Sequence, residues 1–272
     1  MSQPAARVIA DSTSPCGTRL TTLEVRLHRF VLAELNTHRV FSRNSASSRA
    51  IPIAKQIERV LTDPALPLEY GSKRAGMQAG PPLEGNALLA AQQVWLSARD
   101  SAVAAAQDLL RLGVHKQVAN RLLEPFMWHT VIVSSTDWDG FWTQRCSPLA
   151  QPEIRVAAEA MRDAVHASTP VARANGDWHL PYITEDDRAD AGGEHEMLRR
   201  VSAARCGRVS YLTQDGRRDL DEDLQLYERF VTADPPHASP LEHVATPTAA
   251  ADVQHLGNLR GWLQLRHVAL AS

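Results

Sequence analysis

The chain has 272 residues, of which 44% are apolar and 22% are charged, a composition typical of soluble globular proteins. Its net charge of -2 argues against general nucleic-acid binding through a basic surface, so we expect no nucleic-acid partner. No apolar run approaches the roughly 18 residues of a membrane span, and no signal peptide's apolar core begins the chain, so we expect no membrane partner. The three cysteines form no Cys-x-x-Cys pair, which argues against a disulfide framework and favours a reducing cytoplasm.

The first part of the chain predicts a strand that leads into a helix. Residues 1–17 show little pattern and are interpreted as an irregular entry. Residues 19–27 alternate between two sets of side chains and are rich in Thr, Val and Leu, which is typical of a half-buried strand. From residue 30 the apolar positions follow helical spacing, and this predicts a helix that ends near His38.

The polar stretch at residues 37–49 has the composition of an anion site. Only Val40 and Phe41 are large and apolar here, so we predict neither a buried strand nor a buried helix, because the polar groups would need partners. Three arginines beside hydroxyl and amide donors suit a bound phosphate. If the segment is extended, Ser47 and Arg49 face the same side. A solvated, turn-rich loop is the alternative, since such loops use the same residue types.

The middle of the chain is predicted to be mainly helical. Apolar spacing and capping residues predict helices at residues 53–61, 86–112, 114–123, 138–145 and 152–167. The β-branched segment at residues 128–134 predicts a strand. Residues 64–85 have little pattern and are too long for an ordinary connection, so they predict a functional or mobile loop.

The last third predicts further helices and strands around a possible seam. We predict a loop at residues 176–191, a helix followed by a strand at 194–210, a helix at 219–232 and a strand at 244–253. The final strand and helix end at Arg266-His267, much as the first strand and helix end at His38-Arg39. One supersecondary unit is therefore predicted to occur twice.

The polar stretch carries a recognisable signature. It reads His38-Arg39, then Ser42-x-Asn44-x-x-Ser47-x-Arg49. This pattern resembles the signature of the flavin-dependent thymidylate synthase family, Arg-His-Arg followed by Ser-x-Asn-x-x-Ser-x-Arg-Tyr. The match departs at its two ends, where Thr37 and Ala50 replace the family's Arg and Tyr.

Four more blocks resemble the same family. Asn120–Pro125 is similar to its Ala-Arg-x-x-Leu-Pro block, with Arg121 at the arginine position. Arg145 followed by Ala-Gln-Pro-Glu-Ile at residues 150–154 is similar to its Leu-Arg and Ala-Gln-Trp-Glu-Ile blocks. Residues 208–211 resemble its Arg-Val-Ser block, and residues 237–243 its His-x-Ser-Pro-Leu-Glu-His block. In the family's usual order the last two blocks come first. The chain is therefore predicted to be a circularly permuted, divergent member, with the joint near residues 176–203.

The resemblance implies a fold, an activity and a set of site residues. It implies a single α+β domain over residues 1–272, with an antiparallel or mixed sheet and flanking helices. It implies transfer of a one-carbon unit from methylenetetrahydrofolate to C5 of dUMP, with hydride from FAD reduced by NADPH, in a homotetramer with shared sites. Arg145 would be catalytic, gripping the pyrimidine ring and stabilising negative charge as the ring is attacked. The implied substrate-binding residues are Ser47, Arg49, Arg121, Arg145 and Glu34. The implied cofactor-binding residues are His38, Arg39, Asn44, Ser210, His237, Ser239 and Glu242.

Several alternatives stay open at the level of sequence. Glu34 stands where the family often has Gln, and its carboxylate could accept a hydrogen bond from the amine of a cytosine nucleotide. Methylation or hydroxymethylation of dUMP or dCMP for modified DNA is therefore an alternative. A non-catalytic flavin- or nucleotide-binding homologue is another, because the family's flavin-contacting residues are replaced. The replaced positions are Ser134, Thr136 and Gly140, and the candidates to supply these contacts from elsewhere are Asn258 and Arg260.

A metal site is the least favoured alternative. His237, Glu242 and His243 could ligate a metal in a hydrolase, but no third histidine or cysteine stands at helical spacing. We therefore expect no metal.

Overall fold

The computed structural model describes residues 2–47, 50–210, 219–248 and 257–270. The strands are β1 (Ala5–Thr13), β2 (Arg19–His28), β3 (Ser42–Ser45), β4 (Trp128–Ser135), β5 (Val171–Ala172), β6 (Ala245–Pro247) and β7 (Trp262–Gln264). The helices of the first half are α1 (Leu32–Asn36), α2 (Ile53–Thr62), α3 (Gly85–Arg111), α4 (Lys116–Ala119) and α5 (Asp139–Arg145). Those of the second half are α6 (Pro152–Ala167), α7 (Glu185–Asp190), α8 (His195–Gly207), α9 (Leu220–Val231) and α10 (Leu265–Ala269). Short 3-10 helices occur at Arg29–Val31, Asn120–Phe126, Arg208–Ser210 and Ser239–Glu242.

Five strands form a mixed sheet in the order β3-β4-β2-β1-β5. The β1–β2, β2–β4 and β3–β4 pairs are antiparallel, and the short β5 joins β1 in parallel. Strand β2 occupies the centre because its Thr, Val and Leu side chains suit a surface that is buried on both faces. Strand β3 lies at one edge. The predicted α+β class with a mixed sheet and flanking helices is thus confirmed.

One face of the sheet is covered by α5 and α6. Ile154 and Met161 of α6 are almost completely buried and pack with Leu23 and Val25 of β2 and with Phe41. Each such side chain stabilises the fold by roughly 1.5–3 kcal/mol through removal of apolar surface from water. Pro152 begins α6 at a position where a missing N–H costs nothing.

The opposite face of the sheet is covered by α8 and the segments that pack on it. Cys206 of α8 packs against Ile132 of β4. Phe230 of α9 and Leu241 of the 3-10 helix Ser239–Glu242 join the same layer. The two faces therefore carry different parts of the chain, and β3 borders both.

Beneath α8 and α9, the chain buries a cluster of two arginines and two aspartates. Arg205 donates to Asp187 at 2.7 and 2.9 Å and to Asp223 at 2.8 Å. Arg208 lies 2.7 Å from the second oxygen of Asp223. Burial by itself raises the pKa of Asp187, but hydrogen bonds from Arg205 and Thr184 outweigh it and lower that pKa to about 2.

Helix α3 is packed along one side only. Val103 and Ala106 are buried against α2 and the 3-10 helix Asn120–Phe126. Leu89 and Val94 are 63% and 69% exposed. No helix in the described part of the chain has the length and apolar character to cross a bilayer.

Three predictions of secondary structure were wrong. Residues 1–17 contain the long strand β1, which pairs with β2 although its own sequence alternates weakly. The loop predicted at residues 176–191 contains helix α7, Glu185–Asp190. After α8 the chain forms the 3-10 helix Arg208–Ser210 instead of a strand. The polar residues 42–45, for which only a buried strand or helix was excluded, form an edge strand whose side chains reach partners that are remote in the sequence. The strand predicted at 244–253 is seen as β6, and residues 249–256 lie outside the described part.

Candidate functional site

Strand β3 directs its side chains to both faces of the sheet. Arg43 is in register with Val133, so it lies on the face that carries α5 and α6. Asn44 is in register with Ile132, on the face that carries α8. Two groups of predicted site residues therefore lie on either side of this edge strand, and each is described in turn.

The first group is centred on Arg145, the last residue of α5. Its Nε donates to His38 Nε2 at 3.0 Å. A terminal nitrogen donates to Thr37 Oγ1 at 3.0 Å and to the Glu34 carbonyl at 3.3 Å. All three acceptors are neutral and lie at the C-terminal end of α1 or just beyond it. The guanidinium is thus held in place while its charge stays unneutralised by any described carboxylate.

His38 is held in its neutral form by its surroundings. Its ring packs against Phe41 and Phe141, with centroids 5.7 and 4.8 Å away. Burial lowers the pKa of His38, and the positive charges of Arg145 and Arg43 lower it further. A neutral imidazole can accept the hydrogen bond from Arg145 at Nε2, which assigns its proton to Nδ1.

Glu34 offers an acceptor that has no donor in the described structure. Its Oε2 is buried and makes no hydrogen bond there, while its backbone carbonyl accepts from Arg145. A buried carboxylate oxygen without a donor costs free energy unless a ligand or another chain supplies one. Glu34 and Arg145 together could therefore meet a ring that presents both a donor and an acceptor.

The second group lines a cavity of about 1070 Å³ on the other side of β3. Asn44 is fixed there by two contacts. Its Nδ2 donates to the Cys206 carbonyl at 2.6 Å, and Ser239 Oγ donates to its Oδ1 at 3.2 Å. Ser47 and His237 line the same cavity. The hydrogen bonds of Asn44 thus tie β3, α8 and the 3-10 helix Ser239–Glu242 around one opening.

The charges of this cavity favour an anionic ligand. Arg208 and Arg229 line it, and Glu222 is the carboxylate among the described lining residues. Arg208 is already paired with Asp223 and with Glu222, so Arg229 is the cation of the described lining that suits a phosphate-bearing ligand. Phe230 adds an aromatic surface to the wall. A cavity of this size and composition can hold a dinucleotide.

Glu242, at the end of the 3-10 helix Ser239–Glu242, forms an ion pair with Arg266 of the C-terminal segment. Its Oε1 lies 2.6 Å from the nearest guanidinium nitrogen of Arg266. Gln264, fully buried, donates to the Glu242 carbonyl at 3.0 Å and to Ser42 Oγ at 2.9 Å. The segment β7–α10 therefore positions both Glu242 and the start of β3.

A sequence model of the family described as "Thymidylate synthase complementing protein" matches residues 8–171, more than half of the chain. The chain belongs to this family, the flavin-dependent thymidylate synthases. The matched range contains the whole first group and β3, whereas His237, Ser239 and Glu242 lie beyond it.

Two solved structures are similar to the chain. They are crystal structures of a UMP/dUMP methylase PolB from Streptomyces cacaoi, bound with 5-Br dUMP and with 5-Br UMP. Both are 17% identical to this chain. The first covers 60% of this chain and 90% of its own, with a TM-score of 0.45. The second covers 61% and 89%, with a TM-score of 0.46. No curated protein sequence matches the chain.

Most of the residues that the thymidylate synthase resemblance singled out fall into the two groups. Glu34, His38 and Arg145 are brought together in the first. Asn44, Ser47, His237 and Ser239 line the cavity of the second, and Glu242 belongs to the same 3-10 helix as Ser239 without lining the cavity.

Four predicted residues are not placed in either group. Arg121 is about half exposed and pairs with Glu124 at 2.6 Å, so within one copy its guanidinium is engaged elsewhere. Arg39 is exposed. Arg49 lies outside the described residues, as does the side chain of Ser210.

Asn258 and Arg260 are the candidates to supply the replaced flavin contacts, and the structure shows where they lie. Asn258 Nδ2 donates to the Phe41 carbonyl at 3.3 Å, and the Arg260 amide donates to Thr136 Oγ1 at 3.1 Å. The C-terminal segment thus does reach the region where the flavin contacts of the thymidylate synthase family are replaced.

The arrangement of His243 does not suit a metal site. Its Nδ1 lies 2.8 Å from Ser134 Oγ, whereas Glu242 pairs with Arg266. No group of three potential metal ligands occurs in the described ranges.

Arg43, one of the three arginines that the sequence offered for a phosphate, lies beside the first group. Sequence reasoning missed two residues that shape the site, Arg266 and Gln264, which hold Glu242. The echo between Arg266-His267 and His38-Arg39 was the available signal for the first of these. Nothing in the local pattern distinguishes Arg43 from the other arginines of the stretch.

Proposed function

We propose that this protein transfers a one-carbon unit to C5 of a pyrimidine deoxynucleotide monophosphate, most simply dUMP to dTMP, with FAD and methylenetetrahydrofolate. Family membership supports a methyltransferase of this kind. The observation that carries the proposal is the guanidinium of Arg145, which neutral acceptors hold and no described carboxylate neutralises. Glu34, whose backbone carbonyl is one of these acceptors, also has a carboxylate oxygen without a donor in the described structure. A uracil ring presents a carbonyl for the guanidinium and a ring N–H for the carboxylate oxygen.

In this proposal the protein's own residues bind and polarise the pyrimidine. Arg145 donates to a ring carbonyl and stabilises the negative charge that develops on it. The acceptors at His38, Thr37 and Glu34 hold the guanidinium, so little reorganisation is needed as the charge forms. From the resemblance we also propose Ser47 and Arg49 as phosphate contacts and Arg121 as a nucleotide contact. Because Ser47 lines the cavity across β3 from Arg145, these contacts would come from another copy in a site shared between chains.

The residues of the cavity fit the proposed flavin. Asn44, Ser239 and His237 offer polar contacts, and Arg229 suits its diphosphate. When bound, FAD supplies the hydride that reduces the transferred carbon, and NADPH serves as the proposed reductant.

Cys206 and Cys146 are poor candidates for a nucleophile. Burial raises the pKa of the Cys206 thiol, and it also raises the pKa of Cys146. Both thiols therefore stay protonated at neutral pH. The proposal assigns activation of the ring to Arg145.

We further propose a single, circularly permuted domain that forms a homotetramer. Ser239 contacts Asn44 although the two are 195 residues apart, which supports one site built from both ends of the chain. The exposed Leu89 and Val94 on α3 and the remote Arg121 support sites shared between copies. Light scattering would then report the mass of four chains, and a monomer would contradict this part.

Tritium release tests the activity and the acceptor base together. The full chain is given FAD, NADPH, methylenetetrahydrofolate and either [5-³H]dUMP or [5-³H]dCMP. We expect release from dUMP, because the Glu34 carboxylate can accept from the ring N–H of uracil. Release from dCMP alone would assign the cytosine nucleotide, with the amine as the donor. Retained FAD without release from either nucleotide would identify a non-catalytic binding protein.

A further inference from the structure

Arg43 is a partly buried cation that makes no ion pair with any carboxylate of the described residues. Its NH1 donates to Asn36 Oδ1 at 3.2 Å and to the Leu35 carbonyl at 3.5 Å, and both acceptors are neutral. By contrast, Arg205 elsewhere in the chain is neutralised by two buried aspartates. Two aspartates offset the desolvation free energy of the Arg205 guanidinium, whereas no described carboxylate offsets that of Arg43.

The pKa of Arg43 reflects its partial burial. Burial lowers its pKa, and the negative charge of Glu242 acts in the opposite direction from a distance. A guanidinium stays protonated nevertheless, so the charge persists and its solvation is incomplete. A bound anion would compensate for the solvation that the Arg43 guanidinium loses on burial.

The position of Arg43 indicates which ligand this is. It lies on the same sheet face as the Arg145 group, and its charge contributes to lowering the pKa of His38. It also belongs to β3, the edge strand, which no further strand of the described residues covers. Arg43 donates to Leu35 and Asn36. Arg145 donates to Glu34 and Thr37. These acceptors lie at the C-terminal end of α1 or just beyond it, so the two guanidiniums border the same region.

We propose that Arg43 binds the monophosphate of the pyrimidine nucleotide and adds a second fixed cation to that site. The inference rests on the proposed function, since it takes the nucleotide as the ligand at Arg145. Arg145 donates to the pyrimidine ring, and Arg43 binds the phosphate of the same nucleotide. Tethering by Asn36 and the Leu35 carbonyl leaves the other guanidinium donors for phosphate oxygens.

Calorimetric titration of the full chain with dUMP and with deoxyuridine tests this assignment. We expect Arg43→Gln to weaken dUMP binding about 10- to 100-fold, the size of a lost charge-assisted contact, and to leave deoxyuridine binding unchanged. Arg43→Lys keeps the positive charge but loses the bidentate geometry of the guanidinium, so its affinity for dUMP should lie between those of the wild type and Arg43→Gln. Arg111→Gln, on the exposed surface of α3, is the matched control and should bind dUMP like the wild type.

The melting temperature without ligand separates binding from a structural role. Because Arg43 makes no ion pair with a described carboxylate, Arg43→Gln should melt at the wild-type temperature or above it. A lower melting temperature, an equal loss of dUMP and deoxyuridine, or unchanged dUMP binding would each overturn the assignment. A wild-type chain that binds no nucleotide would instead refute the proposed function, and the inference with it.

Discussion

Replacing Arg145 with methionine is expected to lower tritium release from C5 of dUMP by about 100- to 1000-fold, the loss measured when one fixed donor to a developing oxyanion is removed. Methionine keeps much of the side-chain volume and removes every donor. The loss should appear in kcat as well as in kcat/KM, because the guanidinium acts most strongly on the charge that forms during the reaction.

The location of Arg145 provides the control for this variant. It lies across β3 from the cavity that holds the proposed flavin, so FAD content should remain near that of the wild type. Arg111→Gln removes an exposed arginine of α3 and should retain full activity. A methionine variant that still releases tritium at the wild-type rate would remove Arg145 from the mechanism.

Replacing Arg205 with methionine is expected to destabilise the protein by about 3 kcal/mol, the lower end of the range for a broken buried pair. Asp187 would lose its cation and keep the hydrogen bonds from Thr184, whereas Asp223 would still pair with Arg208. Urea unfolding monitored by circular dichroism measures this free energy. Arg200→Met is the matched control, since Arg200 makes ion pairs with Glu196 and Glu228 on the surface. Such exposed pairs contribute about 0–1 kcal/mol.

The same cluster gives the stability a specific pH dependence. The pKa of Asp187 is about 2 in the folded chain, below its value in the unfolded chain. The ionised carboxylate therefore contributes stability that is fully present above the unfolded pKa and is lost as the pH falls towards 2. Arg205→Met should flatten this part of the pH profile. An unchanged profile and a loss no larger than that of Arg200→Met would show that the cluster contributes little.

The elements with strong internal patterns were predictable from sequence. Strand β2, strand β4 and helix α6 have periodic apolar residues, and the structure places them close to the predicted bounds. Strand β1 was missed because its pairing with β2, not its own pattern, makes it a strand. An element was predictable where its own residues carry the pattern, and it was missed where the contacts that stabilise it come from residues far away in the sequence.

The polar stretch shows the same limit at the site. Its polar composition argues against a buried strand, yet in the edge strand β3 Ser42 is buried and accepts from Gln264, and Asn44 donates to the Cys206 carbonyl. These partners lie 222 and 162 residues away, and no local pattern reveals them. The family resemblance identified the residues that carry chemistry. It could not reveal that Arg43 makes no ion pair with a described carboxylate, because that is a property of the packed structure.

The absorbance spectrum of the bound flavin during a titration with dUMP tests most directly whether the two groups around β3 serve one reaction. If the nucleotide at Arg145 lies against a flavin in the cavity, FAD should bind and saturating dUMP should shift its absorbance bands. Arg145→Met should keep the FAD and lose the shift. A chain that binds both FAD and dUMP, as measured by calorimetry, but whose flavin spectrum does not respond to the nucleotide would contradict the account.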